Sequence, residues 1–335
     1  EKRNQKLRQF AETYAASTWD TVQLDVKTLS AEALATKYPI GTELVCHYNL
    51  DGTQYDFPWV VLDNNRVCTW QDGTTHQGLW LGAKYATVED IQFDAAEDTT
   101  VDLSTEPNAL EGWYYWGLTG TTYTALNLST GAAIPTTYDS IHKCAINSLD
   151  VLRYGYNRYL YSAQRQWLNS DADAGEWWEA KHTGDKAPSQ LASRKGFMAG
   201  LDADFLAVIN PVKVRVSANT VTDGGVTDVM YDKFFLQSVE ELYGDPQIAD
   251  IEGPYFPYWK TATGMSSPSN GSSSSTNNAR KIPRISSPSG SAVAIRLRSA
   301  FRGYTYSAWF VFSTGYLTTY GASSSFAALP ACVIS

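Results

Sequence analysis

The side chains best suited to chemistry are four histidines, His47, His76, His142 and His182, and four cysteines, Cys46, Cys68, Cys144 and Cys332. A zinc protease would set two histidines around a glutamate on one helix, and a serine hydrolase would seat its nucleophile in a glycine-flanked elbow. Neither pattern occurs. His142 and Cys144 stand two apart, which on a strand puts both on one face, but a metal needs further ligands. There is no CxxC pair, so zinc-ribbon and thioredoxin-like sites are excluded. The cysteines read as buried free thiols, and a body of this size does not need disulfides. Asp202/Asp204 and Glu240/Glu241 are carboxylate pairs that read as solvated helix faces and caps. Phosphate-cradling glycine loops are absent. The expectation is a protein that is not an enzyme and carries no metal and no cofactor.

Binding chemistry is concentrated at the C-terminus. The segment 299–335 holds no Asp, Glu, Lys, Gln, Asn, His or Met, in a chain with 35 acidic residues. It is crowded with Tyr, Phe, Ser, Thr, Gly and Ala. Tyrosine gives a large amphipathic contact at low entropic cost, and Ser and Gly give adaptable filling, the composition that binding surfaces favour. Strand alternation puts Phe310 and Phe312 opposite Val311, and Tyr316 and Thr318 opposite Leu317, with Ser313-Thr314-Gly315 as the turn between. One face is then packed and the other aromatic and hydroxylated. An aromatic sandwich core is the alternative.

The rest of the chain must hold that segment. Its 335 residues are 43% hydrophobic, 13% aromatic and 18% charged, which suits a β-rich or mixed globular body of one or two domains. The net charge of −9 argues against nonspecific binding to nucleic acid or anionic membrane. No apolar run approaches the roughly 20 residues that span a bilayer. The chain starts at Glu1 without Met, so the lack of a signal peptide says little.

Leu7, Phe10, Ala11 and Tyr14 make one apolar helical stripe, and a second helix is expected over 18–37, ended by Pro39 and Gly41. Residues 1–37 read as an N-terminal helical arm and 38–335 as one domain. Gly41–Tyr48 and Tyr55–Asp63 flank Asn49-Leu50-Asp51-Gly52 as a hairpin, with Pro58 marking an edge or bulge. Short strands follow up to Pro135. Helices return around Ala163–Trp167 and Leu201–Ile209. Ser238 and Glu241 stand at capping-box spacing before the Gly244 stop. Residues 264–280 are low-complexity and read as a flexible loop. Glu106-Pro107-Asn108 matches the sugar-coordinating tripeptide of calcium-dependent C-type lectins, but its partner Trp-Asn-Asp is missing, so it is read as loop.

Arg296-Leu297-Arg298-Ser299-Ala300, Arg302-Gly303, Ala308-Trp309, Gly315 and Leu329–Ile334 resemble the C-type-lectin-fold variable proteins of diversity-generating retroelements, closest to phage versions from gut bacteria. Upstream, YDFPWVVLD, KYATVEDIQFDA, YGYNRYLYSAQRQWLNS, GFMAGLDADFLAVINPVKVRV, DKFFLQSVEELYG and EGPYFPYWK look like the scaffold of the same group. The resemblance covers roughly 38–335. It implies an α+β C-type lectin-like fold with large insertions, and a variable segment at about 295–335. In that family, adenine-directed mutagenesis of chosen codons reaches Phe, Tyr, Ser, Thr, Gly, Ala, Asn and Asp but not Lys, Glu, Gln, Met or Trp. The implied variable, ligand-binding positions are Phe301, Tyr304, Tyr306, Ser307, Phe310, Phe312, Ser313, Tyr316, Thr318, Thr319, Tyr320, Ser323, Ser324, Ser325 and Phe326. Arg298, Ser299, Trp309, Gly315 and Cys332 would be the fixed scaffold. Asn and Asp are absent and the segment is unusually aromatic, which reads as one variant with a stickier surface.

The function implied is receptor binding by a phage tail protein in the virion, through an aromatic and hydroxyl face, without metal. The partner would be a protein or glycan receptor on the host cell surface. A bacterial surface or secreted protein of the same family is the alternative. A formylglycine-generating-like enzyme would want a reactive cysteine pair, and Cys332 has no evident partner. The helical arm permits a trimer, and the large single body permits a monomer.

Overall fold

The structure, a computed structural model, describes residues 19–96, 154–181, 184–220, 223–244, 251–263 and 278–335, and between 97 and 153 only the backbone of four short strands. His142, His182, the 106–108 tripeptide, the stripe at 7–14 and most of the 264–280 loop lie outside the described residues.

Two helices open the described chain, α1 (Trp19–Thr28) and α2 (Ala31–Lys37). Strands β1 (Glu43–Leu50), β2 (Thr53–Asp63), β3 (Val67–Thr69), β4 (Thr75–Gln77), β5 (Leu79–Ala83) and β6 (Asp90–Gln92) follow. Next come β7 (Tyr114–Thr119), β8 (Thr122–Asn127), β9 (Tyr138–Asp139), β10 (Cys144–Ala145), and helices α3 (Ala163–Leu168) and α4 (Ala203–Val208). The hairpin of β11 (Val212–Ser217) and β12 (Thr227–Asp232) leads to β13 (Phe235–Leu236), α5 (Val239–Tyr243) and α6 (Pro257–Thr263). The chain closes with β14 (Ile295–Ala300), β15 (Ser307–Val311), β16 (Leu317–Gly321), β17 (Ser325–Ala328) and β18 (Pro330–Ile334).

The architecture is α+β, mostly sheet. One five-stranded sheet runs β1-β2-β5-β18-β13 and the other β16-β15-β14-β17-β6. The C-terminal segment therefore serves both. It supplies four of the five strands of the second sheet, then β18 crosses to pair with β5 in the first, Cys332 opposite Leu81 and Val333 opposite Trp80. Most neighbours in these sheets are antiparallel, but β14 and β17 pair in parallel.

The β1–β2 hairpin forms at the expected place. Its two turn residues, Asp51 and Gly52, both take positive φ (51° and 84°), as the tight hairpin turn that matches strand twist requires. Pro58 is neither at an edge nor at a bulge. It faces Val45 within the ladder, and its carbonyl accepts from the Lys84 N–H, so the missing amide hydrogen is tolerated where β5 only begins to pair. The register shift falls later, between Val61 and Asp63.

The helix expected over 18–37 is two helices. Ser30 interrupts it and caps α2 by accepting from the Ala33 N–H. Residues 19–37 of the expected arm dock on the body: Trp19, Val22, Val26 and Leu34 are buried in the main core. The Trp19 ring lies 4.5 Å from Phe205, and Phe205 lies 5.2 Å from Trp59. The end of the expected flexible loop is likewise anchored, since the Arg280 guanidinium is buried 3.9 Å over the Tyr243 ring. No helix among the described residues is long and apolar enough to cross a membrane.

Candidate ligand-binding surface

β15 and β16 form a hairpin turned by Ser313, Thr314 and Gly315. Gly315 has φ 80°, a conformation that a Cβ penalises. Its N–H donates to the Phe312 carbonyl at 2.8 Å, and its own carbonyl accepts from the Tyr243 hydroxyl at 2.9 Å. The register pairs Val311 with Leu317, Phe310 with Thr318, Trp309 with Thr319, and Ala308 with Tyr320. Directly opposed residues share a face. Val311, Leu317, Trp309 and Thr319 therefore look one way, and Phe310, Thr318 and Tyr320 the other. Val311 and Leu317 are buried, while Phe312, Tyr316 and Tyr320 are 48%, 44% and 55% exposed.

The face opposite Val311 carries a ring cluster. Phe310 stacks on Phe326 with centroids 4.7 Å apart and planes 11° from parallel. Tyr320 stands edge-on to both, and Phe312 meets Phe310 at 6.2 Å. Phe310 itself is buried, so it forms the floor of the cluster and its neighbours form the surface. Beneath lies Arg296, its guanidinium 4.6 Å from the Phe326 ring centre. Burial pushes that guanidinium down to about 9.

A second cluster forms from residues 301–309. Phe301 stacks on Tyr304 at 5.1 Å and meets Trp309 edge-on at 5.4 Å, and Tyr306 joins Tyr304 to Tyr154. Trp309 shares the face of Val311, so this cluster and the Phe310 cluster lie on opposite sides of the hairpin. Seven of the fifteen positions named from the sequence thus fall into two ring clusters, Phe301, Tyr304 and Tyr306 in one and Phe310, Phe312, Tyr320 and Phe326 in the other. Ser307 is buried, its carbonyl accepting from the Asn157 side chain and from the Phe301 N–H. Ser313, Thr318, Thr319, Ser323, Ser324 and Ser325 are half-buried.

The segment is held chiefly by its main chain. Asn157 donates to the carbonyls of Phe301, Tyr304 and Ser307 at 3.3, 2.7 and 2.7 Å. Arg296 donates to those of Ala308, Tyr320, Gly321 and Ser324, at 3.0 to 3.2 Å. Gln92 reaches the Ser323 carbonyl, Gln164 that of Phe326, and the main chain of Asp94 that of Ala322. These clamps are satisfied whatever side chains the clamped residues carry, because a carbonyl oxygen is common to all residues. One clamp differs: Gln190 donates to the Ser325 hydroxyl, a side-chain contact.

Behind the hairpin sits a buried charge network. Arg298 Nη1 donates to Glu241 at 2.5 Å and to the Leu236 carbonyl at 2.7 Å, and the Ser299 hydroxyl donates to Glu252. Burial pushes the Glu252 carboxyl up and the Cys332 thiol well up. Glu241 also completes the capping box with Ser238. Both carboxylates read from sequence as solvated, Glu240 and Glu241, are buried, because Glu240 accepts from the Glu252 and Gly253 N–H groups. Asp204 is exposed as expected, and Asp202 accepts from His47 at 2.9 Å.

Sequence reasoning missed Asn157, Gln92, Gln164 and the clamping role of Arg296. Each acts on a carbonyl far along the chain, and no local periodicity marks such a residue. Their one trace is a polar residue within an apolar stretch, as Asn157 is in Tyr154–Tyr161. Among the described residues no three His, Cys, Asp or Glu side chains gather as metal ligands. Cys46, Cys68 and Cys332 are free and buried.

A family profile described as a domain of unknown function, DUF6273, matches residues 139–335. No curated protein and no solved structure matches the chain. The matched span contains Asn157, Arg296 and the whole of the hairpin they hold.

Proposed function

The chain belongs to the DUF6273 family, and from that premise we propose that it is a ligand-binding protein whose ring-bearing C-terminal face is built to vary. The observation that carries this reading is the clamping of residues 301–326 through main-chain carbonyls by Asn157, Arg296, Gln92 and Gln164. A face secured in this way accepts new side chains without losing its backbone course, which is what a diversified surface needs. The fold would be C-type lectin-like, and the protein a phage tail-associated receptor-binding protein acting on a host cell-surface protein or glycan. The clefts around Arg66 and around Trp178 are lined by no residue of the ring clusters, which suits contact with a broad partner surface. Affinity would come from the exposed rings Phe312, Tyr316 and Tyr320. An enzyme relying on Cys332 is disfavoured, since that thiol is fully buried and held protonated.

The test is binding of labelled protein to a panel of gut bacterial cells, with the F312A/Y316A/Y320A variant beside it. The expected result is cell binding by the parent, lost in the variant with the melting temperature nearly unchanged. Equal binding by both proteins overturns the reading. Sequencing the neighbouring locus for a reverse transcriptase and a near-copy of the 3′ end tests diversification, and adjacent phage structural genes or a surface anchor separate tail from bacterial-surface placement.

A further inference from the structure

A cleft of about 190 Å³ opens beside β11, lined among others by Arg66, Trp80, Lys213, Arg215, Glu252 and Arg298. None of the ring-bearing positions lines it, so a site here stands or falls independently of the variable face.

The charges lining it are unevenly matched. Glu252 is engaged by the Ser217 N–H at 3.0 Å and by the Ser299 hydroxyl. Glu241 is engaged by Arg298 at 2.5 Å. Arg66 reaches Glu241 Oε1 only at 3.5 and 3.4 Å, at the limit of a hydrogen bond. Lys213 and Arg215 are exposed on alternate positions of β11, so both point the same way, and neither forms an ion pair among the described residues. Four cations, Arg66, Lys213, Arg215 and Arg298, thus line a cleft that holds two carboxylates, Glu241 and Glu252, in a chain of net charge −9.

Arg66 is also oriented. Its guanidinium lies 4.0 Å over the Trp80 ring and 5.1 Å from that of Phe256. Stacking fixes the plane, and the two Nη groups, held by Glu241 Oε1 only at the hydrogen-bond limit, can be shared with an incoming acceptor that offers two oxygens. Gly253 lies against this pair, where a Cβ would come within 2.6 Å of Arg66 Nη2 and 2.7 Å of Glu241 Oε1 and displace them. At about 30 Å³ for each water, the volume suits a small polyatomic ion and not a macromolecule.

We propose that this cleft binds a small oxyanion, a carboxylate or phosphate group, with Arg66 as the fork and Lys213 and Arg215 as the attracting charges. Titration calorimetry with inorganic phosphate and with succinate, at constant ionic strength set by sodium chloride, tests it. The expected result is saturable binding of at least one, weakened about tenfold or more in K213Q/R215Q, which removes two exposed charges and should leave the fold intact. Arg66→Lys keeps the charge and loses the fork, and should weaken binding further. Phosphate binding alone assigns a phosphate site and succinate binding alone a carboxylate site. No saturable heat with either anion overturns the proposal, as does K213Q/R215Q binding with parental affinity.

Discussion

The side-chain amide of Asn157 donates to the main-chain carbonyl of Tyr304 at 2.7 Å, across 147 positions of sequence. The same nitrogen serves Phe301 and Ser307, and the Asn157 oxygen accepts from Asn219 at 3.0 Å. One buried amide thus closes the irregular stretch between β14 and β15. That stretch has no ladder of its own along most of its length, so its carbonyls depend on donors supplied from elsewhere.

Asn157→Ala should therefore destabilise the protein by about 2 kcal/mol, since the Tyr304 carbonyl loses its donor while those of Phe301 and Ser307 keep the Tyr304 and Phe301 N–H groups. Chemical denaturation checks it. Loss below about 1 kcal/mol would mean that water or another donor replaces the amide.

The exposed rings should behave in the opposite way. Phe312→Ala, Tyr316→Ala and Tyr320→Ala each leave Val311, Leu317 and the carbonyl clamps in place. Each should cost under about 1 kcal/mol, while Phe310→Ala, which removes the buried floor of the cluster, should cost about 3 kcal/mol. Thermal melts of the four variants decide between a displayed face and a core, because comparable losses at all four would mark the rings as core.

Much of this was legible locally. Asp51-Gly52 announced its hairpin, Ser238 and Glu241 their capping box, and the alternation around Val311 its two faces. Those signals depend on residues within a few positions of each other. The parallel pairing of β14 with β17 and the passage of β18 into the first sheet depend on distant partners, and neither leaves a periodic mark. The division of the rings was hidden for a related reason. Residues 301–306 follow neither a strand nor a helix period, so only the Phe301–Trp309 contact reveals which face they join. Glu240 and Glu241 misled because a carboxylate pair beside a capping serine looks the same whether it faces water or, as here, Arg298 and the Gly253 N–H.

Gly315 offers a test of the turn itself. At φ 80° an alanine is strained, and Gly315→Ala should lower stability by about 1 to 2 kcal/mol. Tyr243→Phe, which removes only the hydroxyl that holds the Gly315 carbonyl, should cost about 1 kcal/mol. Urea midpoints of both variants check this. A neutral Gly315→Ala would mean that the turn relaxes to another conformation.

Glu252 makes a pH prediction with a definite sign. Its carboxyl is fully buried, and burial raises its proton affinity above the ordinary value near 4.5, more than the Arg298 charge and its hydrogen bonds lower it. Above that value the unfolded chain has released the proton while the folded chain still holds it. The folded state then binds more protons, so this residue's contribution to stability is complete below 4.5 and declines as pH rises through the window above it. Glu252→Gln keeps an acceptor for the Ser217 N–H and cannot ionise, so it removes that decline. The stability of the variant relative to the parent should therefore improve from pH 4.5 to pH 7.5. Glu89 and Asp232, also raised by burial, are present in both proteins and cancel in the comparison; Glu240 is raised in part by the Glu252 charge, so its own shift eases in the variant and acts in the same direction. Urea denaturation at the two pH values measures the difference. A gap between variant and parent that stays constant, or widens against the variant as pH rises, would show that Arg298 holds Glu252 ionised throughout.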